Sequence, residues 1–221
     1  MEENEPTSFI DLFRTPSLRK RCIVGFLALF AAQGTATLVI NNYGPSLYKS
    51  LGFTTVQTLV IQGGWITVCP FGNLFNALVV DKVGRTKLLI WGFAGCIVAL
   101  IGECITVSQF NKTGSNSVAA AAVFFLFLHI VFFSSTTDAT TYIYAAEIFP
   151  TPLRAKGLAV SVSGLFVATI IFLQAAPTAF AAVGWQYYIV FIAVTFAMTL
   201  VVYFYFPEVS TVLLLQSMDR C

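Results

Sequence analysis

The side chains of this sequence that can do chemistry lie inside or beside long apolar runs. They are mostly amides, hydroxyls and isolated acids. Gln33, Thr37 and Asn41 recur at every fourth residue, which places them on one stripe of a helix. Gln62, Cys69, Asn73 and Asn76 share one face of a second helix at 100° per residue. In "HIVFFSSTTDATTY", helical periodicity sets His129, Thr136 and Thr140 on one face, and Asp138 on the opposite face with Ser134, Thr141 and Tyr142. Groups of these types hold ligands, or neighbouring helices, by hydrogen bonding, and both roles remain open. An ionised carboxylate is costly in hydrocarbon, so Asp138 either serves function or is satisfied by protonation or by bonds to Ser134 and Tyr142. His129 is expected to be a packing donor. Charge gathers in two short segments. "DKVGRTK" carries Asp81, Gly84 and Arg85, where the glycine permits a tight turn and the two charges can pair or cap helix ends. "YIYAAEIFPTPLRAKGLA" carries Glu147, Arg154 and Lys156 around Pro150 and Pro152. A single His, with no metal-ligand cluster, Gly-rich phosphate loop or Ser/His pairing, disfavours an enzyme, a metal site and a cofactor, and nothing points to nucleic acid.

What positions these groups is a lipid bilayer. The 221 residues are 57% hydrophobic and 10% charged, against about 45–50% and about 25% in soluble domains. Apolar runs at roughly 22–46, 57–80, 88–108, 118–141, 158–180 and 186–206 each reach the length that spans hydrocarbon as a helix, and none alternates as a barrel strand does. The expected fold class is an all-α integral membrane protein of six transmembrane helices. Ten of the twelve Lys and Arg fall in the N-terminal segment, the second and fourth connections and the tail; only Lys49 and Lys112 lie on the other side. This bias predicts cytoplasmic termini. It puts Asn111-Lys112-Thr113, a glycosylation pattern or a chance triplet, outside, and Glu103 one turn from the outer end of its helix, within reach of water.

The N-terminal "MEENEPTSF" shows no cleavable signal, so the first span is expected to act as a signal-anchor. Residues 1–21 read as a lead-in with a surface helix capped by Ser8 and Asp11, ended by Pro16, with Ser17 able to cap the first span. Residues 22–206 form the transmembrane domain and 207–221 a cytoplasmic tail. Cys22, Cys69, Cys96 and Cys104 read as buried small apolar groups, with Cys221 ending the chain.

Several segments, in order along the chain, carry a resemblance. "SFIDLFRTPSLRKR" is similar to the end of a cytoplasmic linker, and "NNYGPSLYKSLGF" to the outer part of the helix that follows it. "VDKVGRTK" is similar to D/E-x-x-G-R-R/K, "AAEIFPTPLRAKG" to E-x-F-P-x-x-x-R-x-x-G, and "YFPE" to a closing Pro-Glu-Thr. Together they resemble the C-terminal six-helix half of the sugar porter family of the major facilitator superfamily, of the fungal hexose transporter kind. The resemblance implies transport of a hexose-like sugar by alternating access at the plasma membrane. The partners it implies are the sugar, the bilayer, and either the missing N-terminal six-helix half or a second copy. A truncated product without transport activity, or a membrane sensor, is the alternative. By the same resemblance Gln33, Asn41, Asn42, Tyr142 and Asp138 are the candidate substrate-binding residues, with Tyr142 supplying the aromatic platform. Asp81, Gly84, Arg85, Glu147 and Arg154 are the candidate cytoplasmic charge network that holds one state and opens as the halves rock. The pattern departs from the family at Ala32, Leu38, Asn42 and Cys69.

Overall fold

In hydrocarbon a backbone amide has no water to bond, and a helix pairs every such group within its own segment. The computed structural model describes residues 9–206, and these are helical almost throughout. A single turn, α1 (Asp11–Arg14), precedes α2 (Pro16–Gly34) and α3 (Thr37–Ser50). Then come α4 (Thr55–Val83), α5 (Arg85–Thr113), α6 (Asn116–Phe132), α7 (Asp138–Glu147), α8 (Arg154–Val183) and α9 (Tyr187–Tyr205). Five continuous apolar stretches are long enough to cross a membrane; the last, Thr151–Tyr205, has 55 residues. Straight, it would measure about 80 Å against about 30 Å of hydrocarbon. Gly184, at φ 57°, interrupts it, so α8 and α9 make separate passes and the chain crosses six times.

The helix starts follow local chemistry. Pro16 opens α2 at its first position rather than closing α1, and the Thr15 hydroxyl, not Ser17, accepts from the Leu18 amide. Thr54 and Gln57 form a reciprocal cap at the start of α4. The expected cap at Ser8, the closing "PE" at Pro207 and Glu208, and the tail lie outside the described residues.

Between lipid-facing helices the hydrophobic effect gives little, so small residues that admit close van der Waals contact decide the packing. A Cβ on Gly164 would strike the Phe26 backbone carbonyl, and one on Gly25 would strike the Ser161 hydroxyl, which is how α2 and α8 lie flush. One apolar cluster, with Tyr48, Trp65, Leu100, Phe172 and Phe191, fills the middle and one end of the bundle. A second, with Leu12, Phe93, Tyr144, Phe149 and Phe206, fills the end that bears the charges, and α1 inserts Leu12 into it. Cys22, Cys96 and Cys104 are buried and Cys69 is half-buried, all as free thiols.

Two expectations of depth change. Helix α5 runs on to Thr113, which leaves Asn111 exposed in its last turn and Glu103 ten residues, about 15 Å, short of the end. Glu103 is 1% exposed instead of reaching water.

Candidate functional site

The first crossing is broken at its middle. The Thr35 hydroxyl donates to the Ala32 carbonyl at 2.7 Å and bonds the Thr37 hydroxyl at 2.9 Å, so local side-chain bonds displace the helical ladder. Ala36 takes the left-handed conformation, φ 71°. The freed Thr35 carbonyl is bonded by His129 Nε2 of α6 at 2.8 Å. Gln33, Thr37 and Asn41 therefore do not share one helical stripe: Gln33 belongs to α2, the other two to α3. Gln33 is half-buried with its Oε1 unpartnered. Asn41 accepts from Gln62 Nε2 of α4 at 3.1 Å, through both its side-chain and its backbone oxygen. Gln62 approaches so closely because Gly44 presents no side chain there. Asn42 is exposed and bonds its own helix at the Leu38 carbonyl.

The fourth crossing has its own irregularity. Ser134, Ser135 and Thr136 hydroxyls donate back to the carbonyls of Ile130, Val131 and Phe132, and Phe133–Thr137 forms a wider π-helical turn between α6 and α7. Gly72 of α4 and Gly92 of α5 make room for it. A straight-helix count fails across this turn. Asp138 and Thr140, expected on opposite faces, both bond α4: Asn73 Nδ2 donates to Asp138 Oδ2 at 2.9 Å, and Asn76 and Thr140 exchange bonds at 2.9 and 3.2 Å. The expected Asp138 partners, Ser134 and Tyr142, are not its bonded ones. Tyr142, 42% exposed, and the Cys69 thiol lie within electrostatic reach of its carboxylate. The half-buried constellation is thus Asp138, Asn73, Cys69 and Tyr142. Asn73 and Gln62 stand outside the candidate set read from the sequence. The signal that could have found them is their shared face on α4.

At the charged end, Gly84 turns the chain at φ 93° between α4 and α5. Arg85 then grips Glu147 at the end of α7 with a two-pronged fork, Nε to Oε2 at 2.9 Å and Nη2 to Oε1 at 3.0 Å. The same Nη2 bonds Asp81 at 2.6 Å. Arg21 of α2 donates to the Ile148 carbonyl at 2.9 Å, just past α7. Arg154 is exposed at the start of α8 and makes no ion pair among the described residues. Pro150 and Pro152 flank a 3₁₀ turn, Thr151–Leu153, where the chain doubles back.

Six crossings with this order of breaks and end-loop charges make the protein half of a major facilitator fold. The structure of a D-xylose–proton symporter superposes with a TM-score of 0.74 at 19% identity, over 85% of this chain and 43% of that one. The profile of the sugar (and other) transporter family matches residues 1–218, and the chain belongs to that family. It is 30% identical over 196 residues to the hexose transporter HXT13 of Saccharomyces cerevisiae, covering 86% of this chain and 34% of that protein. It is 25% identical over 223 residues to the quinate permease of Neurospora africana, covering 94% and 40% respectively. The chain thus spans well under half the length of these relatives.

Proposed function

We propose that this chain is the C-terminal six-helix part of a sugar porter, carrying a hexose-like carbohydrate through a membrane by alternating access. The observation that carries the reading is the half-exposed polar line at mid-membrane depth: Gln33, Asn41, Asn73, Asp138 and Tyr142 present amide, carboxylate and phenol groups. Unpaired acceptors remain at Gln33 Oε1 and Asn73 Oδ1. Polar groups are retained inside a bilayer where they face a cavity or a substrate path. A sugar ring asks for several fixed hydrogen bonds and one aromatic face, and Tyr142 supplies the latter. Substrate is held between this part and an N-terminal half or a second copy, which covers the open apolar faces of α4 and α8. The charged end is cytoplasmic, with both termini, at the plasma membrane. There the Arg85–Glu147 fork latches the ends of α5 and α7, and Asp81, Gly84 and Arg154 frame it.

The test is hexose uptake in transporter-deficient cells that express this chain with a cognate N-terminal half. Saturable uptake is expected, and Gln33→Ala should raise the KM by about 2- to 10-fold, the worth of one hydrogen bond of about 0.5–1.5 kcal/mol. Uptake no greater than in empty-vector cells, with the chain present in the membrane, rejects the reading.

A further inference from the structure

At the end of the bundle opposite Arg85, a cavity of about 440 Å³ opens between α3, α5, α8 and α9. Tyr43, Phe180, Trp185 and Tyr188 wall it, with Ser46 and Asn111 at its polar side. Under it three helices bring polar groups together in the dry interior: Glu103 of α5, Tyr48 of α3 and Tyr188 of α9, exposed by 1%, 0% and 1%. The Glu103 carboxyl lies within electrostatic reach of both phenols and of the Cys104 thiol on its own helix. Both Glu103 oxygens and both phenol oxygens lack a hydrogen-bond partner among the described residues. The titratable groups facing Glu103 are these three. Helix α6, which packs along α5, carries only His129, and its ring is taken by the Thr35 carbonyl.

We propose that Glu103 is a proton-binding site, loaded from this cavity past Tyr188, whose occupancy sets the position of α3. A carboxylate with no cation beside it costs several kcal/mol in such an interior, whereas the neutral acid has one O–H to donate and one oxygen to accept, matching a phenol on either side. Loading is a simple transfer: a hydronium ion on the cavity side gives its proton to the carboxylate and leaves as water, and unloading is the reverse. Tyr188 both lines the cavity and faces Glu103, so it is the element the proton passes. Tyr48 belongs to α3, the segment separated from α2 by the Gly34–Ala36 break. An ionised Glu103 is solvated only if α3 moves off and admits water. The proton site stands on these residues alone; its coupling to sugar movement rests on the reading of the preceding section.

Infrared difference spectroscopy of the full chain in lipid bilayers, across a step to alkaline pH on the cavity side, tests it. A protonated-carboxyl C=O band is expected to disappear on the step, to be lost in Glu103→Gln, and to shift in Tyr188→Phe. Superposable spectra of the wild type and Glu103→Gln overturn the proposal. Should Glu103→Gln fail to reach the membrane, Tyr48→Phe and Tyr188→Phe keep the ring volume, and an unshifted band in both overturns it equally. Loss of hexose uptake with the band retained would reject the transport reading and leave the proton site standing.

Discussion

The Arg85 fork has two partners of unequal worth, and the inequality can be worked out from geometry. Toward Glu147 it makes two bonds between side chains that are 21% and 28% exposed. Toward Asp81 it makes one bond at 2.6 Å, four residues along, to a side chain that is 75% exposed. Hydrogen bonds to charged groups contribute about 1.5–3 kcal/mol when sheltered, and exposed pairs at this helical spacing about 0.3–0.5 kcal/mol. Allowing for partial solvent screening, the Arg85–Glu147 coupling should be about 1.5–2 kcal/mol and Arg85–Asp81 no more than about 0.5 kcal/mol. Two double-mutant cycles, Arg85→Ala with Glu147→Ala and Arg85→Ala with Asp81→Ala, measured by denaturant unfolding of the full chain in micelles, give both numbers. High salt should weaken the Asp81 coupling proportionately more, because it is the exposed one. An Asp81 coupling equal to or above that of Glu147 would show that the clasp between α5 and α7 is not the stabilising contact the fork geometry implies.

Other outcomes follow from single contacts. His129→Leu keeps the volume but strands the Thr35 carbonyl, and should cost about 1–3 kcal/mol in the same unfolding assay. Gly164→Val drives a side chain into the Phe26 carbonyl and should cost about 1–3 kcal/mol, whereas Gly63→Ala, which meets nothing, should be neutral or stabilise α4 by up to about 1 kcal/mol. Asp138→Asn preserves an acceptor for Asn73 while removing the charge. Its stability should stay within about 1 kcal/mol of the wild type, and uptake by the assembled transporter should fall by about tenfold, a loss read as kcat/KM.

The crossings were legible in the sequence because a span announces itself by composition: some twenty apolar residues in a row leave few alternatives. So was the pairing of Asp81 and Arg85, which local spacing dictates. Three things were not. Thr35 and the hydroxyls of 134–136 can bond their own backbone or a neighbour, and only packing decides. Helix counts across them therefore misplaced Gln33 relative to Asn41, and Asp138 relative to Thr140. The depth of Glu103 was hidden because polar residues at a helix end look the same whether the helix stops or continues, and α5 continues to Thr113. The bonds from Asn73 to Asp138 and from Gln62 to Asn41 join crossings far apart in the chain, so no spacing rule connects them.

The π turn makes the chain's length, not only its composition, a determinant of the charged end. Such a turn holds one residue more than the α-helix it interrupts. Deleting Ser135 would let the fourth crossing close as a regular helix. Everything after it would then turn by about 100° and draw back by about 1.5 Å. Asp138 would swing off Asn73, Thr140 off Asn76 and Glu147 off Arg85, with none of those side chains altered. A single-codon loss is thus equivalent to three simultaneous substitutions, whereas the same deletion in the exposed turn at Gly114–Ser115 disturbs only the entry to α6.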